Sequence, residues 1–329
     1  MSPTDDAESD DGALLTSDEH VTEFFGLPVQ EYDPDKGISG DDAVRIGCDW
    51  DSQEGFADLL ASLLEDPEAA RITALIIGPW ADAFEGGSSE ATVEALVASR
   101  DQLPNLKALF LGDIIQEETE MSWINQCDVS PLFGAFPQLE EFRVRGSQDL
   151  SLGRPSHDNL RALTVECGGM PATLAREIAA ARLPKLERLE LWFGDDGYGN
   201  EVTGRHSDEP LIELLDAPLM QGLTHLGLRN DDGADSTAAV LAGRPRPGKV
   251  TTLDLSLGTL GDEGADALAG APWIGELEKL DIRHHFVSPA AVERLRAALR
   301  SPDALDARHV QEAYQYGDEP PERYVAVGE

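Results

Sequence analysis

Residues 112–128, GDIIQEETEMSWINQCD, gather Asp113, Glu117, Glu118 and Glu120 ahead of Trp123, Cys127 and Asp128. Such carboxylates could ligate a divalent cation through oxygen, or do acid/base work if their pKa values were split. The spacing enforces neither, because the regular ligand positions of a calcium loop are missing and nothing drives two carboxylates apart. His284 and His285 invite a metal reading, yet neighbours on a strand point to opposite sides and cannot chelate together. Residues 243–251, GRPRPGKVT, have the outline of a phosphate loop. Val250 stands where Ser or Thr should meet magnesium, and the segment leads into a strand instead of leaving one. The Asp-Asp-Gly runs at 195–197 and 231–233 are turn chemistry. No nucleophile elbow, zinc-protease helix or dinucleotide loop is present. The expectation is a chain with no cofactor, no metal and no catalytic residue.

What must position these groups is a repeat. An apolar residue, two others, an apolar residue, one other and an apolar residue recur from positions 72, 106, 139, 160, 186, 223, 250 and 277. The last two steps are 27 residues each, within the leucine-rich-repeat period. In ITALII, LKALFL, LEEFRV, LRALTV, LERLEL, LTHLGL, VTTLDL and LEKLDI the final two apolar residues lie two apart, so they share one face of a short strand. One repeat cannot bury that face alone, whereas parallel stacking can, with a helix returning the chain each time. Segments from Ser88, Pro171, Asp262 and Ser288 carry helical three-and-four spacing behind capping residues. The predicted fold is an α/β leucine-rich-repeat solenoid, with a curved parallel sheet on the concave side, helices on the convex side and an N-terminal α/β cap.

The predicted organisation is an acidic disordered stretch at 1–19, a cap at 20–70, about eight repeats over 71–310 and a tail at 311–329. A terminal edge strand is expected near residue 304, and RYVAV in the tail is able to dock as an extended segment. Sixty-three Asp and Glu against 25 Lys and Arg give a formal charge of −38. Such a balance repels phosphate backbones and anionic lipid, which argues against nucleic acid and membrane as partners. Three cysteines without a close pair, no long apolar run and an acidic start without a signal peptide point to a cytoplasmic protein. A monomer is expected.

The third, fifth and seventh residues of each motif should face the concave side. They include Phe110, Glu141, Arg143, Arg145, Glu166, Arg188, Glu190, Trp192, His225, Arg229, Lys279 and Arg283. Counted over all eight strands, this face holds six basic and five acidic residues, so the acidic excess lies on loops, tails and the convex side. Phe110 and Trp192 are expected to be exposed there, among arginines of the kind that anchor interfaces. The competing reading is ion pairing within the face itself, such as Arg143 with Glu166 and Glu190. Asp113, Glu117, Glu118 and Glu120 then form a recognition rim, with Ser122 capping a helix that buries Trp123 and Cys127. His284 is a rim contact, and His285 takes the position where repeats place Asn to bond the turning backbone. In other repeats Gly194, Asp231 and Gly258 stand there.

The 112–128 run, with LERLELWFG, LTHLGLRN, LDLSLGTLGDEGA, DIRHHF and ERYVAV, resembles a family of bacterial cytoplasmic leucine-rich-repeat proteins of unassigned function. The resemblance extends from about His20 to the end, with Arg283 standing where that family carries histidine. It implies the solenoid and the cytosol and brings no catalytic residues. The expected function is protein or peptide binding on the concave face and the 113–120 rim. The alternatives are a noncatalytic subunit of an enzyme or modification system, and an acid/base enzyme using Glu117, Glu166 and Glu190.

Overall fold

The computed structural model describes residues 18–48, 50, 55–204, 207–317 and 320–328. The expected disorder of residues 1–19 therefore lies almost wholly outside the described residues. Twelve strands form one sheet in chain order. They are β1 (Glu23–Phe24), β2 (Leu27–Glu31), β3 (Ala43–Ile46), β4 (Ala74–Ile77), β5 (Ala108–Leu111) and β6 (Glu141–Arg145), followed by β7 (Ala162–Glu166), β8 (Arg188–Gly194), β9 (His225–Asp231), β10 (Thr252–Asp254), β11 (Lys279–Asp281) and β12 (Leu305–Asp306). Only the β1–β2 pair is antiparallel. The eight motifs are β4 to β11, and β12 is the expected edge strand.

Parallel neighbours need crossovers. Eight of them run through α1 (Phe56–Leu64), α2 (Glu90–Ala98), α3 (Ser130–Ala135), α4 (Ala172–Ala179), α5 (Glu209–Leu215), α6 (Ala234–Ala242), α7 (Asp262–Ala269) and α8 (Pro289–Ala298), whereas the β2–β3 and β6–β7 connections carry no helix, contrary to expectation. Ser288 caps α8 by accepting from the Ala291 amide, with Pro289 at the first helical position. The fourth and sixth motif residues, such as Leu189 and Leu191, pack with helix residues such as Leu174, Ile178 and Leu214 into one continuous core. This is the stacked α/β leucine-rich-repeat solenoid, with strands lining its concave side. None of the described helices is long and apolar enough to cross a membrane.

The connection after β5 departs from expectation. Ser122 starts no helix: a short 3-10 turn covers Met121–Trp123, and α3 begins only at Ser130, where Pro131 favours a first turn. Between them the chain stays extended, bridging Asn125 to Gln148 and Asp128 to Ser151. The 3-10 turn sends Met121 inward and leaves Trp123 58% exposed, so Trp123 is not a core residue. Cys127 does pack against the core, half-buried.

Candidate functional site: the concave face and what covers it

Two segments remote in sequence and one long loop close over much of the strand face. At the N-terminal end, Phe24 from β1 packs on Ala74, Ile76, Ala108 and Phe110, with the Phe24 and Phe110 rings 6.1 Å apart. Phe110 is therefore fully buried, not exposed, and the Arg143 guanidinium lies over its other side at 4.2 Å. Leucine-rich strands would put an apolar ring in water here, and the cap supplies the cover.

Asp113 is also withdrawn from the rim and fully buried. Arg45 of β3 donates to it at 2.8 Å while also pairing with Glu31 at 3.0 Å. His20 lies 3.3 Å from Asp113 and 3.5 Å from Glu118. Hydrogen bonds to Asp113 and then Glu118 raise the His20 pKa to about 9, so the imidazolium pins the N-terminal segment to the loop. Burial works to raise the Asp113 pKa, but His20 and Arg45 outweigh it and hold the carboxyl below its usual value. Of the expected rim, Glu117 is exposed and Glu118 partly so, its Oε2 accepting from the Ile115 amide at 3.0 Å.

In the middle of the face the charges pair with one another. Glu166, fully buried, takes Arg143 at 2.5 Å on one oxygen and Arg145 at 2.7 Å on the other. Arg145 is fully buried too, donating to the Ile114 carbonyl at 2.7 Å. Neither Arg145 nor Glu166 can meet a partner in this conformation. The next set is Glu190, Arg229 and Asp254, with Arg229 2.6 Å from Glu190 and 3.5 Å from Asp254. Burial opposes ionisation of Glu190, yet Arg229 and the Trp192 indole, which donates at 3.1 Å, lower its pKa to about 2. Trp192 is buried beneath Met121, Leu257 and Val327, with Arg229 4.9 Å from its ring. Its expected exposure fails because the 113–124 loop and the C-terminal segment both reach over β8. Pairing within the face thus accounts for most of its charge, and Arg229 is buried with the rest.

At the C-terminal end Arg283 pairs with Asp281 at 2.8 Å and Asp306 at 3.5 Å. His284 is buried against Tyr324 and Phe286, with ring centroids 5.7 and 5.9 Å away, so it contacts the chain's own tail and is not a free rim group. His285 is fully buried; its Nδ1 accepts from the Val287 amide at 3.0 Å and its Nε2 lies 2.9 Å from the Ala307 carbonyl. It bonds turning backbone, as expected of that position.

One row stays open. Strand register aligns Glu141, Ala162, Arg188, His225, Thr252 and Lys279 at the N-terminal ends of β6 to β11. Arg188 and Lys279 are exposed and the others half-buried. Among the described residues, the Glu141 and Arg188 side chains have no hydrogen bond or ion pair, and the buried Nε2 of His225 has no hydrogen-bond partner. Burial raises the Glu141 pKa against the pull of Arg188 and Arg143. Burial and then Arg188 lower His225 to about 4, which leaves the imidazole neutral at pH 7. Glu141, His225 and Lys279 were within reach of sequence reasoning as third motif residues, but only the covered remainder of the face singles them out. Among the described residues no group of three or more His, Cys, Asp and Glu is arranged to hold a metal.

No protein-family model and no curated protein matches the chain. A crystal structure of a Bacteroides fragilis protein is similar, with a TM-score of 0.75 and 25% identity over 86% of this chain and 76% of that one. A Listeria monocytogenes internalin covers 83% of this chain and 66% of its own at 14% identity, with a TM-score of 0.38.

Proposed function

We propose that the chain is a noncatalytic protein-binding module, working in the cytoplasm as a monomer, whose partner docks along the open row from Glu141 to Lys279. The observation that carries this reading is that half-buried Glu141 and exposed Arg188 have no hydrogen bond or ion pair among the described residues. Burial of Glu141, and of the His225 Nε2 atom that has no hydrogen bond and reaches Glu190 only at 3.9 Å, carries a desolvation cost that a docked partner would offset. Elsewhere on the face Arg143, Arg145, Glu166, Glu190 and Arg229 each have an ion-pair partner. Five strand intervals make the row about 24 Å long, enough for an extended segment of about seven residues or a helix of about 16. Arg188 calls for a carboxylate and Glu141 for a donor. The exposed Glu117 stands at the other edge of the sheet and would be touched only by a large partner.

Acid/base catalysis at Glu166 and Glu190 is disfavoured by their arginine pairs, which hold both carboxylates in fixed ionic contacts. The test is crosslinking affinity purification from the native cell with wild type, an Arg188→Glu/Glu141→Arg variant and a convex control, Arg294→Glu. A protein crosslinked to wild type and control but lost from the row variant supports the proposal. Equal recovery by all three removes the row as the site, and no specific protein from any of them sinks the binding reading.

A further inference from the structure

The half of the open row that runs from β8 to β11 is built around His225. Strand register seats Arg188 of β8 on one side of it and Thr252 of β10 on the other, with Lys279 of β11 one strand further on. The acidic side chains nearby are engaged with other residues: Glu187 with Arg161 at 2.8 Å, Glu190 with Arg229 at 2.6 Å and Asp281 with Arg283 at 2.8 Å. Asp281 also holds Lys279 at 3.4 Å, and Asp254 lies 3.5 Å from Arg229. Arg188 has no ion pair among the described residues, so the charge left without a mate on this half of the row is a cation.

His225 is the titratable group set among these charges. Its buried Nε2 atom has no hydrogen bond and lies 3.9 Å from Oε2 of Glu190, too far for a hydrogen bond and within reach of an ion pair. The charged groups bearing on the ring are Arg188 and Glu190 of β8, Arg229 of its own strand and Lys279 of β11, while Asp254 of β10 is held by Arg229. Burial and the three cations oppose a proton on the ring, and Glu190 favours one. Arg188 is the strongest of those cations, and it is also the one a carboxylate from outside would take. A carboxylate docked on Arg188 cancels its repulsion and adds an attraction, and the imidazolium so formed presents its Nε2–H to Glu190. Docking therefore gives a mate to the unpaired cation and to the buried ring nitrogen together.

Resting on the row as the docking site, we propose that the partner is an acidic segment whose carboxylate docks on Arg188, and that docking loads a proton from solvent onto His225, so that binding tightens as pH falls. A further acidic residue of the same segment reaches Lys279, three strand intervals or about 14 Å away, which is roughly four residues of extended chain. The sign follows from linkage. His225 titrates at about 4 in the free chain and higher in the complex, so the added affinity is complete below 4 and is lost as pH rises through the bound value.

The test uses a capped hexaglutamate peptide as the probe and a capped hexaglutamine peptide as its control. About 0.1 M salt screens the chain's formal charge of −38 beyond about 10 Å and leaves direct contacts in place. The full chain carries carbon-13-labelled histidine, and His225→Gln assigns the signal. Free, that signal should stay neutral between about pH 5.5 and about pH 8; saturated with hexaglutamate, it should titrate with a midpoint of about 6.5. The dissociation constant should then fall about tenfold from pH 8 to pH 5.5, as linkage requires for a midpoint raised from about 4 to about 6.5. His225→Gln should bind with little pH dependence, which separates this proton from the general loss of negative charge. Arg188→Gln, a change at an exposed side chain, should weaken binding at least tenfold at both pH values. A His225 signal unmoved in the saturated chain, or an equal pH response in His225→Gln, overturns the proton uptake. No saturable binding, binding indifferent to Arg188→Gln, or equal binding of hexaglutamine overturns the acidic partner. The row itself falls on a different result, equal crosslinking of the partner by wild type and the Arg188→Glu/Glu141→Arg chain.

Discussion

Asp231 stands where a repeat of this kind calls for asparagine, and replacing it by asparagine tests whether the difference has a thermodynamic consequence. The carboxylate is buried, with Oδ1 accepting from the Thr203 hydroxyl at 2.6 Å and the Gly233 amide at 2.8 Å, and Oδ2 accepting from the Thr237 hydroxyl. Burial raises its pKa from 3.8 to about 6, against the pull of those three donors. The sign follows from linkage. A folded pKa above the unfolded one means the folded state binds the proton more tightly, so this group favours folding most below pH 3.8 and that advantage is lost as pH rises through about 6. About two pKa units at about 1.4 kcal/mol each make the ionised group cost about 3 kcal/mol at pH 8, of which about half is already present at pH 5. An asparagine at this position would keep the Oδ1 contacts, donate from Nδ2 to the Thr237 oxygen and carry no charge. Asp231→Asn should therefore gain about 1.5 kcal/mol more over wild type at pH 8 than at pH 5, both above the isoelectric point near 4.3. Urea unfolding followed by circular dichroism gives the difference, with wild type and variant measured side by side so that other titrations cancel. A difference that does not change with pH would refute the reasoning: the three donors would then fully offset burial of the charge.

The cap makes a pH prediction of opposite sign. Because His20 is raised to about 9, its contribution is complete below pH 6.5 and disappears as pH climbs through 9; the melting-temperature gap between wild type and His20→Ala should close by about pH 10, and a constant gap would dismiss the ion pair. Phe110→Ala, which empties the contact with Phe24, should cost about 3–5 kcal/mol, whereas Arg188→Ala on the same face should stay within about 0.5 kcal/mol. Similar values for the two in denaturant titrations would mean the cap does not cover β5. Gly194→Ala places a Cβ against the Gly168 carbonyl at φ 76°. It should lose about 1–3 kcal/mol from backbone conformation alone, and a thermal melt unchanged from wild type would contradict that geometry.

The strands were legible because an LxxLxL motif encodes side-chain direction within six residues, and direction is all that a parallel stack needs. His285 was legible for the same reason: its position in the repeat names the backbone groups it must bond. What local periodicity cannot encode is the matter lying above a strand face. The cover over Phe110 comes from Phe24, that over Trp192 from Met121 and Val327, and the clamp on Val327 from Asn230, 97 residues upstream. The 112–128 loop misled for a related reason. Its Ser-Trp-Ile spacing suits a helix, but two parallel bridges to the following repeat hold the chain extended, and tertiary pairing overrode local preference.

Coverage also alters what the charge census means. Six basic and five acidic residues on one face could serve either recognition or mutual pairing, and composition alone does not separate the two. The structure divides them by depth along the strand. Residues at the fifth and seventh motif positions, toward the strand C-termini, sit under loops and tail, and there Arg145, Glu166, Glu190 and Arg229 pair within the chain. Third-position residues of β6 to β11, at the strand N-termini, lie beyond that cover, and there Glu141 and Arg188 have no ion pair among the described residues. Exclusion of water explains the first group, since a buried charge without a partner would be too costly to fold. Only at the uncovered positions can the chain leave polar groups for another molecule to satisfy, and that confines the proposed docking row to one edge of the concave face.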